Sequence, residues 1–163
     1  MKNTFKILLL ISITFFTVIS CQDTNPLYGE WKLSSWYIGV EIDLDKNGIK
    51  STNLLDEVDC DNKEVLTIKS DGTLNAVNTY NPIVKISKNN SKYVFDVNCN
   101  KGALGFASTY KTVGDTVVIA PNNEEFIFSG KQLTRVFKNA IRIYNNDFTE
   151  VIETKDLTLS YTK

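Results

Sequence analysis

Leu157-Thr158-Leu159-Ser160-Tyr161 alternates apolar and polar side chains, and Tyr93-Val94-Phe95-Asp96-Val97 and Ile141-Arg142-Ile143-Tyr144 do the same. Successive side chains of a strand point to opposite faces, so each stretch sends one set to a core and the other to water. Outward from these lie turn signals: Ser70-Asp71-Gly72-Thr73, Lys88-Asn89-Asn90-Ser91, Val113-Gly114-Asp115-Thr116 and Ser129-Gly130-Lys131. Such short connections join antiparallel neighbours. The pattern predicts strands near 28–39, 64–69, 73–80, 83–87, 92–98, 106–113, 116–120, 125–129, 132–138, 141–145, 148–154 and 157–162, some of them merging. Asn53 to Asp59 has room for a helical turn or two, and no longer stretch carries a 3.6-residue period. Strands at this spacing make a sandwich or a barrel. A meander without a long crossover favours an antiparallel up-and-down barrel, because closure removes exposed strand edges. The expected fold class is all-β.

The chain has 163 residues, and setting aside the first 20 as a leader leaves 143, one domain's worth. Apolar residues make up 42%, enough for a packed core. There is no histidine. That excludes Ser-His-Asp and Cys-His catalysis and His-ligated zinc or haem. Eighteen basic residues face 19 acidic ones, and removing Lys2 and Lys6 with the leader makes the remainder mildly acidic. Nucleic-acid binding needs a positive footprint, and none stands out.

Residues 1–20 read as a secretory signal: Lys2 and Lys6 precede an apolar run from Ile7 to Ile19, short for a membrane-spanning helix. The run ends in Val18-Ile19-Ser20-Cys21, which resembles the lipobox of bacterial lipoproteins. The resemblance implies cleavage before Cys21 and a thioether-linked diacylglycerol with palmitate-type chains on its thiol. Each buried CH₂ contributes ~0.8 kcal/mol, so two or three chains anchor the protein stably. Residues 21–26 then form the lipidated cysteine and a polar linker ending in Pro26. This implies an outer-membrane lipoprotein of the bacterial envelope, on either its periplasmic or its surface face.

With Cys21 lipidated, Cys60 and Cys99 remain, in a compartment where disulfides persist. One pair leaves one connectivity. The rival readings are two free thiols or a redox pair, and no C-x-x-C spacing favours the latter.

Leu27-Tyr28-Gly29-Glu30-Trp31-Lys32-Leu33 resembles the L-x-G-x-W-x-L opening of bacterial lipocalin-like lipoproteins of Bacteroidota type. The resemblance makes residues 27–163 one lipocalin-like barrel. It gives Gly29 the turn into the first strand and Trp31 the closure of one barrel end. Leu66-Thr67-Ile68 with Asp71-Gly72-Thr73, and the closing Leu157–Tyr161, are similar to that family's second strand, hairpin and last strand. Two departures stand out. A T-D-Y-type motif is absent, and where other lipocalins carry an Arg that packs on the Trp, only Lys163 follows the final strand.

Asp43-Leu44-Asp45-Lys46-Asn47-Gly48-Ile49 matches D-x-[DN]-x-[DN]-G, the first half of a calcium loop. Asp43, Asp45, Asn47 and the Ile49 carbonyl are the candidate ligands. Leu54 occupies the twelfth position, so Asp56 or Glu57 has to supply the carboxylate, and affinity is expected to be weak. The alternative is an Asx-rich turn partly neutralised by Lys46. Aromatic residues in a small barrel fill its interior or line a pocket; Phe95, Phe126, Phe128 and Phe137 are the pocket candidates. The carboxylate neighbours Asp59/Asp61 and Glu124/Glu125 lack any phosphate loop, nucleophile elbow or ligand cluster beside them. The expectation is therefore no enzyme, no cofactor beyond weak calcium, and a monomer tethered through Cys21. It would bind a small apolar or amphiphilic molecule or serve as an envelope scaffold. The alternative is a protein-interaction module with a solid barrel.

Overall fold

A computed structural model describes residues 25–163 apart from Ser91, Lys101 and Ala103. The leader, Cys21 and most of the linker lie outside the described residues. The elements in chain order are β1 (Gly29–Ile42), β2 (Ser51–Asn53), a single 3₁₀ turn (Leu54–Asp56), β3 (Val65–Ile68), β4 (Thr73–Val77), β5 (Ile83–Asn89) and β6 (Lys92–Asn98). β7 (Gly105–Val113), β8 (Thr116–Ile119), β9 (Glu124–Phe128), β10 (Gln132–Tyr144) and β11 (Val151–Thr162) complete them.

Eight strands close into an antiparallel barrel in the order β1-β3-β4-β7-β8-β9-β10-β11, with β11 returning to β1. The meander is interrupted once. Between β4 and β7 the chain leaves the ring as the β5–β6 hairpin, which docks in parallel on β10 through Ile143 opposite Ile86 and Tyr144 opposite Ser87. The short β2 pairs with the far half of β1. The barrel thus carries an outlying lobe on the overhanging ends of its longest strands.

Two bulges make that overhang. Leu33 faces Tyr161 and Ser35 faces Ser160, so Ser34 is an extra residue, and its hydroxyl donates to the Ser160 carbonyl at 3.0 Å. An extra residue flips the side-chain alternation. Trp31 and Leu33 point inward before it, and Trp36, Ile38, Val40 and Ile42 after it. On β10, Phe137 faces Leu157 while Ile141 faces Lys155, so three residues oppose Asp156 alone. Asn139 there takes a positive φ of 53° and donates its amide to Asp156 Oδ1 at 3.0 Å, while Lys138 pairs with Oδ2 at 2.7 Å. The predicted strands 132–138 and 141–145 are therefore one strand across this bulge, as 148–154 and 157–162 are one β11.

The core is continuous. Trp31, Phe126, Leu66, Ile68, Leu74, Val117 and Leu133 fill the barrel, and Ile38, Leu54, Ile86 and Ile143 continue it beneath the lobe. β4 and β7 approach so closely that a Cβ on Gly105 would stand 2.7 Å from the Ala76 carbonyl oxygen. The expected Cys60–Cys99 disulfide is present, with Cα atoms 5.3 Å apart. It ties the segment before β3 to the end of β6. In the chain-entropy account, such a loop contributes ~3–4 kcal/mol.

Candidate functional site

The barrel end marked by Trp31 is shut. Gly29 enters β1 at φ 121°, a conformation costly for residues with a Cβ. Trp31 is fully buried, donates its indole N–H to the Leu27 carbonyl at 2.9 Å and meets Phe128 edge-on at 5.8 Å. Lys163 lies over the indole at 4.9 Å, donating to the Tyr28 carbonyl at 2.8 Å and also to that of Pro26. Lys163, the residue after β11, thus places a cation on the indole.

One level inward lies a polar cluster that sequence reasoning missed. Glu64, only 4% exposed, accepts the Tyr161 hydroxyl at 2.8 Å on Oε1 and the Tyr80 amide at 2.8 Å on Oε2. Arg135 projects into the barrel, pairs with Glu124 at 2.6 Å and stacks on Phe137 at 4.0 Å and Phe126 at 5.4 Å. Burial holds the Glu64 carboxyl above its ordinary value, opposed by the Tyr161 hydroxyl, the Tyr80 amide and the Arg135 charge. Burial also raises Tyr161, helped by the Glu64 charge, and pushes Tyr80 up to about 12. Glu64 is sealed and hydrogen-bonded on both oxygens, and through it the segment before β3 is fastened to β11 and to the loop after β4. Glu124, the sequence neighbour of Glu125, has Arg135 as its partner.

The four candidate pocket phenylalanines do not come together. Phe126, Phe128 and Phe137 sit inside the barrel, packed respectively on Tyr161, Trp31 and Arg135. They are filling, because eight strands enclose a lumen just wide enough for side chains. Phe95 lies on the outlying hairpin.

That hairpin borders an open cleft of about 620 Å³ lined by Lys85, Val94, Phe95, Asp96, Tyr144 and Phe148. Local chemistry builds it. In the β10–β11 turn, Asn145 accepts the amides of Thr149 and Glu150 on its side chain at 2.9 and 3.1 Å, and the Phe148 amide on its carbonyl at 3.1 Å. This holds Phe148 at φ 59°, with its ring 5.9 Å from Tyr144 and 46% exposed. A bulky residue in the left-handed region is costly, and such strain gathers at functional positions. Val94, 51% exposed, adds an apolar wall, and Lys85 stands opposite Asp96 across the hairpin. Glu153 fastens the lobe, accepting from Lys155 at 2.8 Å and from Lys88 and the Tyr93 hydroxyl at 3.3 Å each; the Lys155 bond leads in holding its carboxyl below the usual range. The aromatic pair at 144 and 148 flanks a turn-rich stretch, the only sequence signal that could have found this cleft.

A second, polar cleft of about 550 Å³ adjoins the disulfide, lined by Asp59, Asn78, Asn81 and Asn100 among others.

The calcium-loop candidates divide. Asp43 and Asp45 lie with Glu57, their carboxylate oxygens within 4.8 Å of one another. Asn47 is turned to the loop itself: its amide donates to Asp45 Oδ2 at 2.7 Å and its Oδ1 accepts from Ile49 N at 2.7 Å, while Ile49 is 70% exposed. Asp56 is engaged by Ser51 and Asn53 at 2.8 and 3.1 Å. Of the two acids considered for the closing carboxylate, Glu57 reaches the cluster.

No protein-family model matches this chain, and no curated protein or solved structure matches it at a significant level.

Proposed function

We propose that this chain is a non-enzymatic, membrane-tethered lipocalin-like lipoprotein of the bacterial envelope that binds a small apolar or amphiphilic molecule, seated on the lateral cleft and not in the barrel lumen. One observation carries the reading: the lumen is filled by Trp31, Phe126, Leu133 and Tyr161, whereas Tyr144, Phe148 and Val94 turn apolar surface outward around a volume of ligand size. An acyl or aromatic group lies against the rings, and a polar head meets Lys85 and Asp96 at the same cleft. The tether is the lipid on Cys21, and the polar linker up to Pro26 lets the barrel stand off the membrane.

Native mass spectrometry of the protein purified from its own envelope tests this reading. A co-purified small amphiphile is expected on the wild type and absent from F148S. Loss of the bound molecule from a barrel-lumen variant but not from F148S would place the seat elsewhere.

A second reading, docking of an envelope protein, draws on β6, the last strand of the sheet order, whose outer edge has no strand partner among the described residues. Such an edge accepts an added strand. A soluble peptide in place of a small molecule in the same spectra would favour it.

A further inference from the structure

We infer that two copies of this chain pair through β6, edge to edge and antiparallel about Val94, and that each lends Lys92 to the other's lateral cleft. The pairing uses the free side of β6 and needs no amphiphile in the cleft. An exposed strand edge is a template for a further strand, and proteins guard such edges with bulges or prolines. β6 has neither. Its seven residues pair with β5 from Ile83–Asn98 to Asn89–Lys92 without a shift, and none is proline. The hairpin turn holds one end of the strand and the Cys60–Cys99 disulfide the other, so little order has to be gained on pairing.

The residues of the strand select the partner. Along an antiparallel strand, backbone groups face one neighbour and then the other in alternation. The turn closes on Asn89–Lys92, so Lys92, Val94 and Asp96 bond to β5, while Tyr93, Phe95 and Val97 offer their amides and carbonyls at the free edge. A two-fold axis at Val94 sets Tyr93 opposite Phe95 in a bonded pair and Lys92 opposite Asp96 on the exposed face. Two Lys92–Asp96 pairs then flank a contact between Val94 side chains that are 51% exposed in the single chain. Neighbouring registers lose this match. An axis at Phe95 places Asp96 against Val94, and one at Asp96 brings like charges together, which is destabilising. Within the chain, neither Lys92 nor Asp96 has an ion pair among the described residues. Asp96 lines the cleft, and pairing places it between its own Lys85 and Lys92 of the second copy. Exposed ion pairs are individually weak. The tether proposed above confines the copies to one membrane plane and raises their effective concentration.

The test is cross-linking of full-length V94C in phosphatidylcholine vesicles under mild oxidation. Val94 residues facing each other form a non-hydrogen-bonded pair with Cα atoms about 4.5 Å apart, within reach of a disulfide. A V94C dimer is expected, whereas K92C, whose two copies lie roughly 14 Å apart in this register, stays uncross-linked. D96K in the V94C background is expected to slow cross-linking roughly tenfold. Adding K92D restores the rate, because the ion pairs re-form with their signs exchanged. All three positions are exposed, and the rescued protein keeps the substitution at 96, so a folding defect cannot mimic this pattern. Absence of the V94C dimer, equal cross-linking of K92C, or no rescue by K92D would each overturn the inference. In intact envelopes, a V94C disulfide to a different protein in place of a second copy would overturn it too, in favour of docking.

Discussion

The barrel and the lobe it carries are built from the same alternating strands, yet they treat their side chains in opposite ways. In the barrel, every strand has two neighbours, the inward face is filled, and even the charged groups inside are matched: Glu64 to Tyr161 and the Tyr80 amide, Arg135 to Glu124 and two aromatic rings. In the lobe, β6 has one neighbour among the described residues, and apolar side chains such as Val94 and Phe148 face water. Closure explains the difference. A ring of eight strands turns one face onto itself and leaves no edge. A hairpin appended to an overhang buries one face, through Ile86 against the core, and exposes the other. The barrel holds most of the buried apolar side chains, and the lobe leaves apolar surface such as Val94 and Phe148 exposed around a cleft.

Substitutions can break this contrast. The largest loss is expected for W31A, about 3–5 kcal/mol by chemical denaturation, since it removes a fully buried indole together with the seat of Lys163 and Phe128. A loss under 1 kcal/mol would mean that the closed end does not hold the barrel. Next comes G105A, at about 1–3 kcal/mol, because β4 and β7 must part to admit the methyl group. Unchanged stability there would show that the ring yields easily.

The third prediction concerns pH. The folded carboxyl of Glu64 titrates above its ordinary 4.5, so its contribution is fully present below that value and lost as pH rises through the raised one. Asp71, Glu153 and Asp156, which hydrogen bonds chiefly to Thr73, Lys155 and Lys138 hold below their ordinary values, act in the opposite sense at lower pH. They are common to wild type and E64Q. The difference between the two stability profiles therefore isolates Glu64: the wild type should lose ground relative to E64Q as pH rises from about 4.5. Parallel profiles would refute it.

The smallest stability effect belongs to the lobe. F148S should change unfolding free energy by no more than about 0.5 kcal/mol, as for an exposed side chain, while losing the co-purified ligand. A large stability loss would make Phe148 a structural residue and erase the distinction between the two regions.

Much of this was legible in the chain. The period-two runs and their turns located nearly every strand, and the pairing of Cys60 with Cys99 followed once Cys21 was assigned to the lipid. The bulges were not legible. Ser34 looks like an ordinary strand residue and residues 139–140 look like a break between two strands; that each is a bulge exists only relative to the partner strand. Glu64 was passed over because a single acid before a strand carries no signal until Tyr161, 97 residues away, donates to it. Lys163 likewise carries no signal by itself, since an ammonium on an indole arises only where the start of β1 meets the residue after β11.

Alternation, turn chemistry and the cysteine count are local, and they alone determined that this protein is an all-β domain of short antiparallel connections. Which faces closed on themselves, which phenylalanines became filling and which bordered a cleft depended on how the strands were shared between the ring and its overhang. That partition is set by the register of residues far apart in the chain, and so only the tertiary structure could decide it.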